Sequence, residues 1–192
     1  MKRGLVKFLI PAVMGLLSTR IQAQQISGAI EFNGYAALNS SIGSATAVVG
    51  YAALLLGPAT GSFSSMTNGY VGLAFNTFIF GGNGGTTLTL VQYPYPGWLW
   101  QVSDESLNLW QLFPSSAITV TENSSSLYIT GTGLIEENGG NSTSAAWTFS
   151  ANTAAGTITT FEASTVAIPE PGTIALVGIG VLTLLAFSHR HK

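Results

Sequence analysis

Leu127-Tyr128-Ile129-Thr130-Gly131-Thr132-Gly133 sets small or apolar residues in strict alternation with polar ones, without a charge. A strand sends successive side chains to opposite faces. This spacing therefore turns Leu127, Ile129, Gly131 and Gly133 one way and Tyr128, Thr130 and Thr132 the other. The period continues on both sides. Upstream, Ile118 and Val120 alternate with Thr119 and Thr121; beyond Asn138-Gly139-Gly140, Trp147 and Phe149 alternate with Thr148 and Ser150. Threonine-rich faces suit the solvated side of an antiparallel sheet, and Asn-Gly between two such runs signals a turn.

Working outward, the same pattern recurs in shorter pieces. Ile26, Gly28, Ile30 and Phe32 alternate before Asn33-Gly34, read as a turn. The run 46–56 reads as a buried strand, with a short helix as its rival. Asn68-Gly69 marks a turn before 70–80, and Gly81-Gly82-Asn83-Gly84-Gly85 reads as a loop. Strands are expected over 86–92, 98–103, 107–113 and 157–163. Nine or so short strands make a mainly β fold, an antiparallel β-sandwich or flattened barrel. Residues 154–171 read as its tether.

The charge distribution narrows the chemistry. The chain of 192 residues has net charge −2, but every base lies near an end: Lys2, Arg3, Lys7, Arg20, Arg190 and Lys192. Both histidines, His189 and His191, are terminal too, and cysteine is absent. Between residues 24 and 167 the ionisable groups, tyrosines aside, are acids: Glu31, Asp104, Glu105, Glu122, Glu136, Glu137 and Glu162. Phosphate neutralisation needs Lys or Arg, so nucleic acid is excluded as a partner of this region. A serine–histidine relay and the usual zinc sites need histidine or cysteine, so this region cannot build them alone. No cofactor or metal is expected, and Asp-x-Asp-x-Asp calcium spacing is missing. Asp104-Glu105 and Glu136-Glu137 lie beside turn residues and read as solvated loop charge rather than a glycosidase pair. Asn39, Asn123 and Asn141 begin Asn-x-Ser/Thr triplets, taken as loop chemistry.

Tyr93-Pro94-Tyr95-Pro96-Gly97-Trp98-Leu99-Trp100 is the second candidate. Aromatic faces beside acids and amides suit sugar surfaces, making Tyr93, Tyr95, Trp98 and Trp100 candidate glycan contacts. The competing reading, which the strand spacing favours, puts Trp98 and Trp100 in the core.

The two ends read as targeting segments. Met1-Lys2-Arg3 with Lys7 precedes the apolar run 8–17, and Ile21-Gln22-Ala23 offers a small residue at a cleavage position. Residues 1–23 therefore read as a signal peptide, with an uncleaved anchor as the alternative. At the other end stands Pro169-Glu170-Pro171-Gly172, then the uncharged run 173–187, then Ser188-His189-Arg190-His191-Lys192. The prolines keep the motif out of a helix interior. The run is short for a membrane span, and a buried core helix is its rival. Arg190 and Lys192 sit where snorkelling cations close a helix on the cytoplasmic side.

This order of motif, apolar run and basic end resembles the PEP-CTERM sorting signal of bacterial surface and exported proteins. Ile26-Ser27-Gly28 and Ile129-Thr130-Gly131-Thr132-Gly133 loosely resemble ectodomains that precede such tails. The resemblance implies recognition by a membrane-embedded exosortase through Pro169, Glu170, Pro171 and Gly172, in a setting of extracellular polysaccharide. The expected organisation is a signal helix (1–23), a β-rich exported domain (24–163), a linker holding Pro-Glu-Pro (164–172), a single transmembrane helix (173–188) and a basic tail (189–192). A non-catalytic surface protein is the leading expectation. A carbohydrate-binding or adhesive module is the alternative, and a carboxylate-dependent hydrolase a third.

Overall fold

The computed structural model describes residues 26–68, 70–91, 97–153 and 158–168. Among the described residues the alternating runs form ten strands: β1 (Ala29–Leu38), β2 (Ala47–Ala59), β3 (Tyr70–Phe75), β4 (Phe78–Ile79), β5 (Thr89–Leu90), β6 (Trp100–Asp104), β7 (Leu109–Glu122), β8 (Ser126–Glu137), β9 (Asn141–Thr153) and β10 (Ile158–Ala167). A 3-10 helix, Gly61–Asn68, joins β2 to β3. All pairings are antiparallel and belong to one sheet ordered β3-β6-β7-β8-β9-β10-β1-β2-β4-β5. The β class is as expected, but the strands make one curled sheet, a half-barrel, rather than two stacked ones. Its far end turns back on β7. Ile118 N donates to Thr86 O (3.1 Å), Leu88 N to Ser116 O (2.7 Å) and Gly84 N to Val120 O (3.2 Å), around a bridge between Thr87 and Ala117.

The period-two pattern sets the register. Ile129 stands opposite Val120 and Phe149, all three buried, while Thr130 stands opposite Thr119 and Thr148 on the outer face. Gly131 is required by its neighbour: a Cβ there would fall 2.6 Å from Trp147 Cζ2, whose indole lies across it. The turn after β8 has Asn138 at φ 51° and Gly139 at φ 66°, the left-handed pair that tight hairpins use. Inside the curl, rings meet in a chain. Phe32 packs on Trp100 and Phe75 with centroids 5.0 and 5.1 Å apart; Phe75, Tyr51 and Phe161 meet in turn, and Phe149 stacks on Phe161 at 5.4 Å. Burying such rings takes a large apolar area out of water.

Several boundaries differ from the sequence reading. Asn33-Gly34 is not a turn: β1 runs through it, and Gly34 is small because Phe161 Cε1 and the carbonyls of Ala52 and Ala53 each lie 3.0 Å from where its Cβ would be. The 46–56 run is strand, not helix. Residues 107–113 and 118–121 fuse into β7, with an irregular register between Pro114 and Ile118 that accommodates the proline. The tether expected over 154–171 is shorter, because β10 occupies Ile158–Ala167 between β9 and β1. The expected signal peptide (1–23), transmembrane helix (173–188) and basic tail lie outside the described residues. Among those described, no helix is long and apolar enough to cross a membrane.

Candidate functional site

The aromatic stretch divides. Trp98 is 7% exposed and Trp100 1%. Trp100 starts β6, faces Phe32 at 5.0 Å and donates its indole N–H to Thr165 Oγ1 at 3.0 Å, so its one polar atom is satisfied inside the sheet. Asn76 Nδ2 donates to Trp98 O at 2.6 Å, pinning that backbone to the end of β3. Rings so covered have no free face for a sugar. Both indoles are buried, Trp100 as a member of the core cluster, and Tyr93 and Tyr95 lie outside the described residues.

The acids are dispersed. Asp104 is buried and accepts from Ser106 N (2.9 Å), Asn108 N (3.0 Å), Asn108 Nδ2 (3.1 Å) and Ser65 Oγ (3.1 Å), shaping the β6–β7 turn. Burial alone would raise its pKa; the Asn108, Ser65 and Ser106 bonds outweigh it and hold the carboxyl below its ordinary value. Glu122 is also buried, its Oε1 accepting from Gly43 N (3.0 Å) and Ala45 N (3.2 Å). Glu105 lies exposed in a turn, and Glu136 and Glu137 point to opposite faces of β8. The register shows one pair that linear reading missed. Glu31 stands opposite Ser164 and Glu162 opposite Asn33, which makes these two acids diagonal neighbours on the outer face, their Cα atoms about 7–8 Å apart. Glu162 is exposed and Glu31 half-buried on that face. Among the described residues no group of three or more His, Cys, Asp or Glu could hold a metal ion.

The remaining candidate is where the chain leaves the sheet. Ala167 N donates to Gly28 O (2.9 Å) and Ile168 N to Ser144 O (2.6 Å), so pairing persists to the residue before Pro169. Pro169, Glu170, Pro171, Gly172, Arg190 and Lys192 lie outside the described residues. Residues 167–190 match the family model of the PEP-CTERM protein-sorting motif. The chain carries a PEP-CTERM sorting signal. No curated protein and no solved structure matches it. The PEP-CTERM signal implies an exported protein sorted to the cell envelope, with exosortase, a membrane enzyme, as its processing partner. Its first matched residue, Ala167, is still a strand residue of β10, so signal and fold overlap rather than being spaced apart.

Proposed function

We propose that this is a non-catalytic surface protein, delivered through its signal peptide, held by a single span over 173–188 and processed by exosortase at the PEP-CTERM motif. The observation that carries this reading is the motif match directly abutting a folded β domain. Arg190 and Lys192 close the span on the cytoplasmic side, which leaves Glu170 outside the bilayer on an extended, proline-bounded segment. A carboxylate there adds nothing to insertion, so enzyme recognition is its role. The absence of catalysis is supported by composition: residues 24–167 offer only acids, hydroxyls and amides, and apart from the Glu31–Glu162 neighbours on the outer face the acids lie on separate turns and faces. Association with extracellular polysaccharide follows from the resemblance.

Glu170→Ala tests the reading in a host that carries the processing enzyme. The expected outcome is intact membrane insertion and no conversion to a smaller mature form, read by immunoblot and mass spectrometry. Unchanged conversion would leave Pro-Glu-Pro a mere spacer before a plain anchor.

The carbohydrate-binding reading keeps one support. With Trp98 and Trp100 buried, it rests on Tyr93 and Tyr95, and on Tyr128 and Tyr35, which are 47% and 46% exposed on the outer face. Polysaccharide retention by the wild-type chain, lost on Tyr95→Ala without change in fold, would favour it.

A further inference from the structure

The outer face of β8, β9 and β10 is mostly hydroxyl: Thr130, Thr132, Thr148, Ser150, Thr160 and Ser164. Its large aliphatic side chains gather in one corner. Leu134 is 45% exposed, Val166 48% and Ile168 47%. The register makes them neighbours. Phe113 stands opposite Leu134, Leu134 opposite Ser144, and Ser144 O accepts from Ile168 N; one row away, Val166 stands opposite Ala146. Four strands at about 4.8 Å make this a patch roughly 14 Å wide. It lies at the point where the chain leaves the fold.

We propose that this corner is a membrane-docking surface that rests in the headgroup layer of the bilayer receiving the tail. The proposal rests on the reading that 173–188 enters the membrane. Its occupant follows from chain length. Only residues 169–172 separate Ile168 from Thr173, where the apolar run begins, and an extended chain spans at most about 3.6 Å per residue, roughly 18 Å over the five steps. The patch is therefore held within reach of the interface whatever path those residues take. Burial of Leu134, Val166 and Ile168 in lipid acts in addition to the tether. Charge selects the lipid. Glu136 lies one row beyond Leu134 on the same face, and no base between residues 24 and 167 offsets it, so the surface fits zwitterionic rather than anionic headgroups.

The chain has no cysteine, so single labels report position cleanly. Full-length chain carrying a fluorophore at Thr132→Cys, beside the patch, or at Thr121→Cys, near the opposite end of the sheet, is reconstituted in phosphatidylcholine vesicles with brominated acyl chains. The expected result is several-fold stronger quenching at residue 132 than at 121. It persists when a long Gly/Ser linker is inserted between Ile168 and Pro169, and falls to the residue-121 level in Leu134→Ser/Val166→Ser with an unchanged melting midpoint. Should that pair unfold the sheet, the linker arm decides alone. Equal quenching at both labels, or loss of the difference on linker insertion, overturns docking while vesicle retention still supports the anchored tail. A chain that fails to stay with the vesicles removes the tail reading and the docking with it. Quenching that appears only when the processing enzyme is added assigns the patch to that protein and overturns the lipid surface.

Discussion

Two buried polar groups, the Asp104 carboxylate and the Tyr51 hydroxyl, behave oppositely although both sit in the same sheet. Asp104 gathers four donors around one carboxylate, and its charge is what those donors stabilise. Its folded pKa lies below the unfolded one, so the contribution is present above the ordinary aspartate value of about 3.9 and is lost as pH falls through the folded value. Asp104→Ala strands two backbone N–H groups at the turn and should cost about 1–3 kcal/mol at neutral pH. Thermal melts should show the gap to wild type narrowing as acid is added below pH about 4. Tyr51 is the converse. Its ring fills the aromatic chain against Phe75 and Phe161, but its hydroxyl has no partner among the described residues, and burial pushes its pKa far above the usual tyrosine range. Removing an unpaired buried hydroxyl removes a desolvation penalty of about 1–3 kcal/mol. Tyr51→Phe should therefore leave the melting midpoint unchanged or raise it; a clear drop would mean that the hydroxyl is bonded.

Between elements, Glu122 is the clasp. It ends β7, and its carboxylate holds the 39–46 loop through Gly43 and Ala45, while its own N–H donates to Asn83 Oδ1 from the glycine loop. Glu122→Gln retains an acceptor and should be mild. Glu122→Ala leaves two amides unanswered, about 1–3 kcal/mol, and should speed hydrogen exchange at Gly43 and Ala45 ahead of the β8–β9 core. None of this was legible in the linear chain, because a carboxylate's partner 77 or 79 residues away leaves no local trace. What was legible is local. The two halves of β7, β8 and β9 show themselves through their own period, and the turn after β8 through its Asn138-Gly139 dipeptide. Asn33-Gly34 carries the same dipeptide and is not a turn, because Phe161 and β2 need the space a Cβ would fill. The end of β10 reads as tether for a similar reason: Thr165 is buried between Ile30 and Trp147, and its hydroxyl answers the Trp100 indole, neighbours all distant in sequence. At the candidate site the sorting motif was readable since its three parts are contiguous, whereas the fate of Trp98 and Trp100 depended on neighbours distant in sequence.

Over the whole molecule, the position of β10 constrains where the sorting signal can be cut. Had 164–172 been a free linker, cleavage anywhere along it would leave the domain intact. Instead β10 lies between β9 and β1, joining the two halves of the sheet, and is paired to its last residue. A cut after Ala163 would remove Thr165 from Trp147 and Ile30, Val166 from Ala146 and Ala29, and Ala167 from Ala145 and Gly28. It would also take Thr165 Oγ1 from the buried Trp100 indole and uncover apolar rows on both neighbours. Each lost backbone bond is worth about 1 kcal/mol net and each stranded donor more, which together approach the 5–15 kcal/mol that holds a typical domain. Processing compatible with a folded product must therefore fall at or beyond Ile168. The C-terminal peptide of the mature protein, identified by mass spectrometry, should end at residue 168 or later. In parallel, a chain ended after Ile168 should melt like the full-length protein, and one ended after Ala163 should show no cooperative melt. A mature terminus inside 164–167 on a protein that still melts cooperatively would mean that β10 is dispensable, and the sheet would then have to close between β9 and β1 without it.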